Sequence, residues 1–336
     1  MNDMKVLSKP SPIRSGLYKT STKLFYQPSK LLEAQITEVF DDVWPTVTAL
    51  KNLRWQVQGY HHEYNVASNS LLTSKFVEPG DKTNRPNLYR SCIEQAWDDQ
   101  EFIIAKNLLI NILACYEAWI ENILEIHGCN NYPHQKQLQS ASDWNIIISQ
   151  LTSIPDNNIV TNFHQEYLMH NKNYALNYID KYMKIYRYFK ECRNCIVHRG
   201  GQTTQRVIDA YTDIVNYTPH DLNIKEVPQI ILNNINDSIK ISLRGVVGFS
   251  QIILKIVSTF DIELIKSNKS KAYFVEQLKS QNPHHLVLPA LEPKKINKIC
   301  SIIAKARFIK PHDPMSLLPL LQQENILNSE RFRLTV

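Results

Sequence analysis

The sequence predicts an all-α protein. Glycine is scarce, with 8 among 336 residues, whereas Leu, Ile, Lys, Asn and Gln are plentiful. That balance favours helices over a glycine-punctuated α/β enzyme. Apolar residues also recur at spacings of three and four through residues 88–127 and 174–199, the period of a helix with one buried face. No Walker loop or dinucleotide glycine fingerprint is present, so a glycine loop cradling phosphate is not expected.

Residues 1–30 place Pro10, Pro12 and Pro28 among Ser, Thr and Lys and read as a basic extension. Residues 31–60 follow a helical period that Pro45 is expected to interrupt or kink. The polar stretch Asn65 to Asn87, with Pro79-Gly80 and Pro86, reads as a loop. Residues 88–127 carry the longest helical signal, through Ile104, Leu108, Ile112, Tyr116, Trp119 and Ile123, and Gly128 supplies a stop. Asp143 is expected to cap a short helix running to about Ser153. Further helices are expected at 158–170, 174–199, 202–217 and 237–266, with a β-prone run at Val227–Leu232. Amphipathic segments at 271–280, 293–308 and 315–327 form a C-terminal appendage. The expected organisation is a basic extension (1–30), a helical domain (31–265, core 88–265) and a basic helical appendage (266–336).

Charge is divided in the same way. Residues 1–30 hold six Lys/Arg against one acid, and residues 266–336 hold twelve against five. The whole chain is +6, so the body between them carries −6. Two basic ends on an acidic body suit contact with a polyanion, and solvated basic tails are the plain alternative. The longest apolar run, Gly245 to Val257, contains Lys255 and falls short of the ~20 residues a membrane span needs. The N-terminus lacks an apolar signal core, and six scattered cysteines do not form a disulfide framework. The expectation is a cytoplasmic protein with reduced thiols and no membrane contact.

The chemistry-bearing segment is Phe189-Lys190-Glu191-Cys192-Arg193-Asn194-Cys195-Ile196-Val197-His198-Arg199-Gly200-Gly201. The core face of its helix runs Ile179, Tyr182, Tyr186, Phe189, Arg193, Ile196, so Arg193 stands where the period calls for an apolar side chain. A guanidinium there is costly unless paired. The earlier helix offers Glu117 and Glu121 one turn apart, and Glu117 is the expected partner of Arg193. A buried Arg–Glu pair without chemical duty is the competing reading. His198 sits in the last turn, before a glycine pair that terminates the helix. Five positions turn a helix about 140°, so Arg193 and His198 do not share one face of a straight helix. They converge if the helix ends at His198, or if a second copy completes the site. Such a set fits metal-free RNA cleavage, with His198 moving a proton of the 2′-hydroxyl and Arg193, aided by Asn194, steadying phosphate charge.

Other features compete. Cys192-x-x-Cys195-x-x-His198 resembles part of a zinc site but has no second ligand pair, so neither metal nor cofactor is expected. The doublets His61-His62 and His284-His285 are isolated. Tyr174, Tyr178, Tyr182 and Tyr186 recur every four residues, as base-stacking rings or, more simply, as core. Lys184, Arg187, Lys190, Arg199 and Arg206 surround the motif; Lys190, Arg199 and Arg187 are expected to guide RNA, and simple solvation is the plain alternative for some of the set.

Arg193-Asn194-x-x-x-His198 followed by Arg199-Gly200-Gly201 resembles the signature of the HEPN superfamily (higher eukaryotes and prokaryotes nucleotide-binding domains). The earlier Tyr116-Glu117-Ala118-Trp119-Ile120-Glu121-Asn122 is similar to the helix that carries a matching acid in its bacterial RNase-like branches. The resemblance covers roughly residues 88–265 and implies an up-and-down helical bundle, a homodimer that juxtaposes two motifs, and a metal-independent endoribonuclease. It implies roles in toxin or anti-phage defence systems and a regulatory or antitoxin partner. By position, Arg193 and His198 are then catalytic, Asn194 the polar helper and Glu117 the support. The alternative is a non-catalytic helical module for RNA or nucleotide binding or for dimerisation.

Overall fold

The computed structural model describes residues 23–65, 68–77, 86–128, 141–151, 157–282 and 286–329. It is all-α, apart from one short strand pair near the C-terminus. Three long helices build the centre: α1 (Gln27–Tyr64), α3 (Trp97–Ile126) and α10 (Leu243–Leu264), with α7 (Ile179–His198) packed against α3 and α10. Between α1 and α3 lie α2 (Asn69–Phe76) and a wide helical turn at Tyr89–Glu94. α4 (Ala141–Leu151) comes next, then α5 (Asn157–Ile159), which runs through a second wide turn into α6 (Gln165–His170). After α7 come α8 (Gln205–Thr212) and α9 (Pro219–Leu222).

Aromatic side chains bind these helices at their centre. Trp144 of α4 stacks on Phe260 of α10 with ring centroids 4.1 Å apart, and touches Trp119 of α3 at 5.4 Å. Tyr116 links that group to Tyr186 of α7 at 5.0 Å, and Phe189 of α7 stacks on Phe249 of α10 at 4.5 Å. All are buried, so this chain of rings supplies much of the apolar area removed from water. By mean hydropathy, α3 and α10 are each long and apolar enough to cross a bilayer, which a count of uninterrupted apolar runs does not reveal. In this structure 72% of the most apolar window of α10 and 44% of that of α3 are buried inside the protein.

Several elements differ from the sequence expectation. α1 continues through Pro45 without interruption. Pro45 and Asp41, whose carbonyl loses its helical donor, are both exposed, so the missing bond is not enclosed in the core. The polar stretch after α1 is not all loop: α2 forms there, and Leu72 joins Val57, Leu88 and Cys92 in a small second core under the far end of α1. Asp143 lies in the first turn of α4 rather than at its cap, where the helix dipole still favours it. The run at 227–232 pairs with no strand among the described residues; the Tyr188 hydroxyl donates to the Ile231 carbonyl (2.9 Å) and accepts from its amide (3.1 Å). That run lies tight on α10, where a Cβ at Gly245 would collide with the Gln229 carbonyl.

The chain after α10 shares the main core. α11 (Ser270–Gln281), α12 (Glu292–Lys305) and α13 (Leu318–Gln323) place Phe274, Ile303 and Leu321 in the same apolar cluster as α3 and α7. Two strands unforeseen from sequence, β1 (Leu286–Leu288) and β2 (Leu327–Ser329), pair in parallel.

Residues 23–30 are docked by a buried carboxylate. Asp261 of α10 accepts from the amides of Phe25 (2.6 Å) and Tyr26 (3.1 Å), and the Tyr26 hydroxyl donates to the Leu264 carbonyl (2.8 Å). Phe25 then packs against Phe163, Tyr167 and Phe308, joining α5–α6 to the C-terminal segments. Burial pushes the Asp261 carboxyl up from 3.8 to about 6, against the pull of its hydrogen bonds from Ser29, Phe25 and Tyr26. A carboxyl whose folded pKa lies above its unfolded one contributes stability at acid pH that is lost as pH rises through that interval. Relative to Asp261→Asn, which cannot ionise, the wild type should therefore lose unfolding free energy between about pH 4 and pH 6, as read from urea midpoints.

Candidate active site

α7 carries the site because its polar residues interrupt a strongly apolar face. Its core side chains Tyr182, Tyr186 and Phe189 are buried, and one turn further Arg193 enters the same face. Its guanidinium Nη2 bonds to Oε1 of Glu117 on α3. Arg193 retains 15% side-chain exposure and Glu117 31%, so the pair is shielded without being sealed. At intermediate burial of this kind, removing one partner leaves the other's charge poorly solvated.

The helix ends just after the motif. His198 is its last residue, Arg199 is the C-cap, and Gly200 and Gly201 take left-handed φ angles of 61° and 84°. The Arg199 amide (3.1 Å) and the Gly201 amide (2.9 Å) both return to the Cys195 carbonyl, closing the helix end. The chain after it is pinned: Ile239 donates to the Gly201 carbonyl (2.7 Å) and Thr203 to the Asp237 carbonyl (2.9 Å). Both residues reach one cleft of a single chain. Arg193, Asn194 and His198 line one open cleft of about 700 Å³, together with Glu117.

Lys190 and Arg199 also line this cleft, and so does Arg206 from the start of α8. With Arg193 these make four cations against the carboxylates of Glu117 and Glu191, so the cleft carries positive excess charge. His198 and Arg199 are exposed, whereas Lys190 is almost wholly buried. Burial is the main influence holding the Lys190 ammonium below its usual pKa; Arg193 acts in the same direction, and Glu117 and Glu191 oppose it.

The structure does not bring Arg187 there. It points around the helix to α8, where Nη1 lies 3.5 Å from Asp213, because six positions before Arg193 is about 120° around the helix. Tyr182 and Tyr186 are buried, and the Tyr182 hydroxyl donates to the Leu222 carbonyl (2.7 Å), so neither ring is presented to a base. Cys192 is buried in the core, and burial raises its thiol pKa, whereas Cys195 and His198 line the cleft. His61 packs edge-on against Tyr89 (5.7 Å); His284 and His285 lie outside the described residues. Sequence reasoning gave no role to Glu191 or to the Thr204–Gln205 segment. The glycine pair was the available signal, since it turns the chain back so that the start of α8 faces the end of α7.

The Arg193–Glu117 contact yields a double-mutant cycle. Glu117→Ala and Arg193→Met should each lower stability, and the double variant should be less destabilised than their sum. The coupling expected from urea unfolding is about 1–3 kcal/mol. Searches against protein-family models, curated proteins and solved structures find no match to this chain.

Proposed function

We propose that the chain is a metal-independent endoribonuclease of the HEPN type. The observation that carries the reading is the Arg193 guanidinium, held by Glu117 at the wall of a cleft that Asn194 and His198 also line. Arginine suits the equatorial oxygens of a phosphodiester under attack, since its planar fork offers several donors and stays charged. Glu117 holds that fork and leaves its remaining N–H groups for the phosphate. His198, on the open side, removes the proton of the 2′-hydroxyl as its oxygen attacks phosphorus. The P–O5′ bond then breaks and the leaving oxygen takes up a proton, giving a 2′,3′-cyclic phosphate and a 5′-hydroxyl end. Lys190 and Arg199 add positive charge along the strand.

In this reading the chain works as a cytoplasmic homodimer whose two clefts act on one RNA. Its biological setting is a bacterial toxin or anti-phage defence system, under a regulatory or antitoxin partner that keeps the cleft silent. The shielded Arg193–Glu117 pair also favours a second reading, a helical module that binds RNA without cutting it.

The deciding experiment is cleavage of a mixed RNA pool with EDTA present, by wild type and by His198→Ala. The reading expects cleavage by the wild type, unaffected by EDTA, and a loss of about 10²–10⁴-fold in the variant. RNA bound by both proteins and cut by neither supports the binding module. Equal cleavage by both removes His198 from the reaction.

A further inference from the structure

α8 begins in the cleft, and its start is electrostatically unanswered. Gln205 and Arg206 line the cleft, while their amides make no hydrogen bond among the described residues. The N-cap Thr204 does not cap: its hydroxyl lies 3.6 Å from the Cys195 sulfur, and no acid occupies the first turn. A helix start left this way presents free N–H groups and partial positive charge to whatever fills the cleft.

Lys190 is the independent second observation. It is 5% exposed and lines the same cleft, yet its Nζ has no hydrogen-bond partner among the described residues. Glu117 is engaged by Arg193, Glu117 and Glu191 act on the ammonium without a hydrogen bond, and the Tyr186 ring centroid lies 5.8 Å from Nζ. A buried ammonium without an acceptor is costly, and an anion in the cleft satisfies it together with the free amides of α8.

We propose that Lys190 and the N-terminus of α8 form a phosphate seat, distinct in its donors from Arg193 and His198. Resting on the ribonuclease reading, the seat takes a second phosphodiester of the same strand while Arg193 meets the reacting one. It thereby sets which bond lies at His198. Its ligand is the phosphate group itself, read by backbone amides and one ammonium, so it selects a strand by the spacing of phosphates rather than by base identity.

The test is a calorimetric titration of the full chain with inorganic phosphate at fixed ionic strength, comparing wild type, Lys190→Met and Gln205→Glu. Met keeps the bulk of Lys190 without its charge. Glu at position 205 places an acid in the first turn, where the dipole favours it, so the fold is maintained while the seat is filled from within. Each variant should bind phosphate about tenfold more weakly, with an unlowered thermal midpoint for Gln205→Glu. No phosphate binding by the wild type, or wild-type affinity in either folded variant, overturns the seat. The titration needs no turnover, so a chain that binds phosphate but cuts no RNA leaves the seat standing and sinks only the ribonuclease.

Discussion

A guanidinium on the core face of a helix is the constraint around which the rest of this molecule is arranged. α7 is otherwise committed to apolar packing, through Tyr182, Tyr186 and Phe189, against α3 and α10. Arg193 continues that face, so its charge must be answered from the helix it packs on, and Glu117 answers it. The aromatic chain from Phe260 through Trp144, Trp119 and Tyr116 to Tyr186 fixes α3 beside α7, and so fixes where the carboxylate stands. The fold and the cleft are thus one problem: the same packing that buries the rings delivers a positioned, partly exposed arginine.

Helix termination governs the chain beyond Arg193. Five helical positions set Arg193 and His198 about 140° apart, and ending the helix after His198 leaves that last turn open to the cleft that both residues line. Two left-handed glycines end it there, and the bonds of residues 201 and 203 to 237–239 return the chain so that α8 opens onto the cleft. The site therefore combines a partly buried, paired cation, a terminal imidazole and a free helix start within one small span of sequence. Each has a different physical origin, and together they give a concave surface with positive excess charge.

The legible parts of this arrangement were those in which a residue broke its own pattern. Arg193 stood out against a helical apolar period, and the acid needed to answer it lay on the other strongly periodic helix; both are where that reasoning put them. The helical class was legible for the same reason, long periods and little glycine. Lys190 was expected beside the RNA from its place in the motif, but its burial broke no periodic pattern and was not legible. Arg187 lies away from the cleft because nearness in sequence is not nearness on a helix. α1 ran on through Pro45 because the lost bond faces water, and the run at 227–232 found a tyrosine hydroxyl in place of a strand; both depend on surroundings that no local pattern encodes.

In the proposed reaction RNA is cut by its own 2′-hydroxyl at this cleft, without a metal. The most direct measurement places a single 2′-deoxy nucleotide immediately 5′ of the scissile phosphate in an oligoribonucleotide that the wild type cuts in EDTA. The account predicts that cleavage at that bond disappears while neighbouring bonds stay susceptible. Unchanged cleavage there would mean that water or another nucleophile attacks phosphorus, and the role assigned to His198 would be wrong.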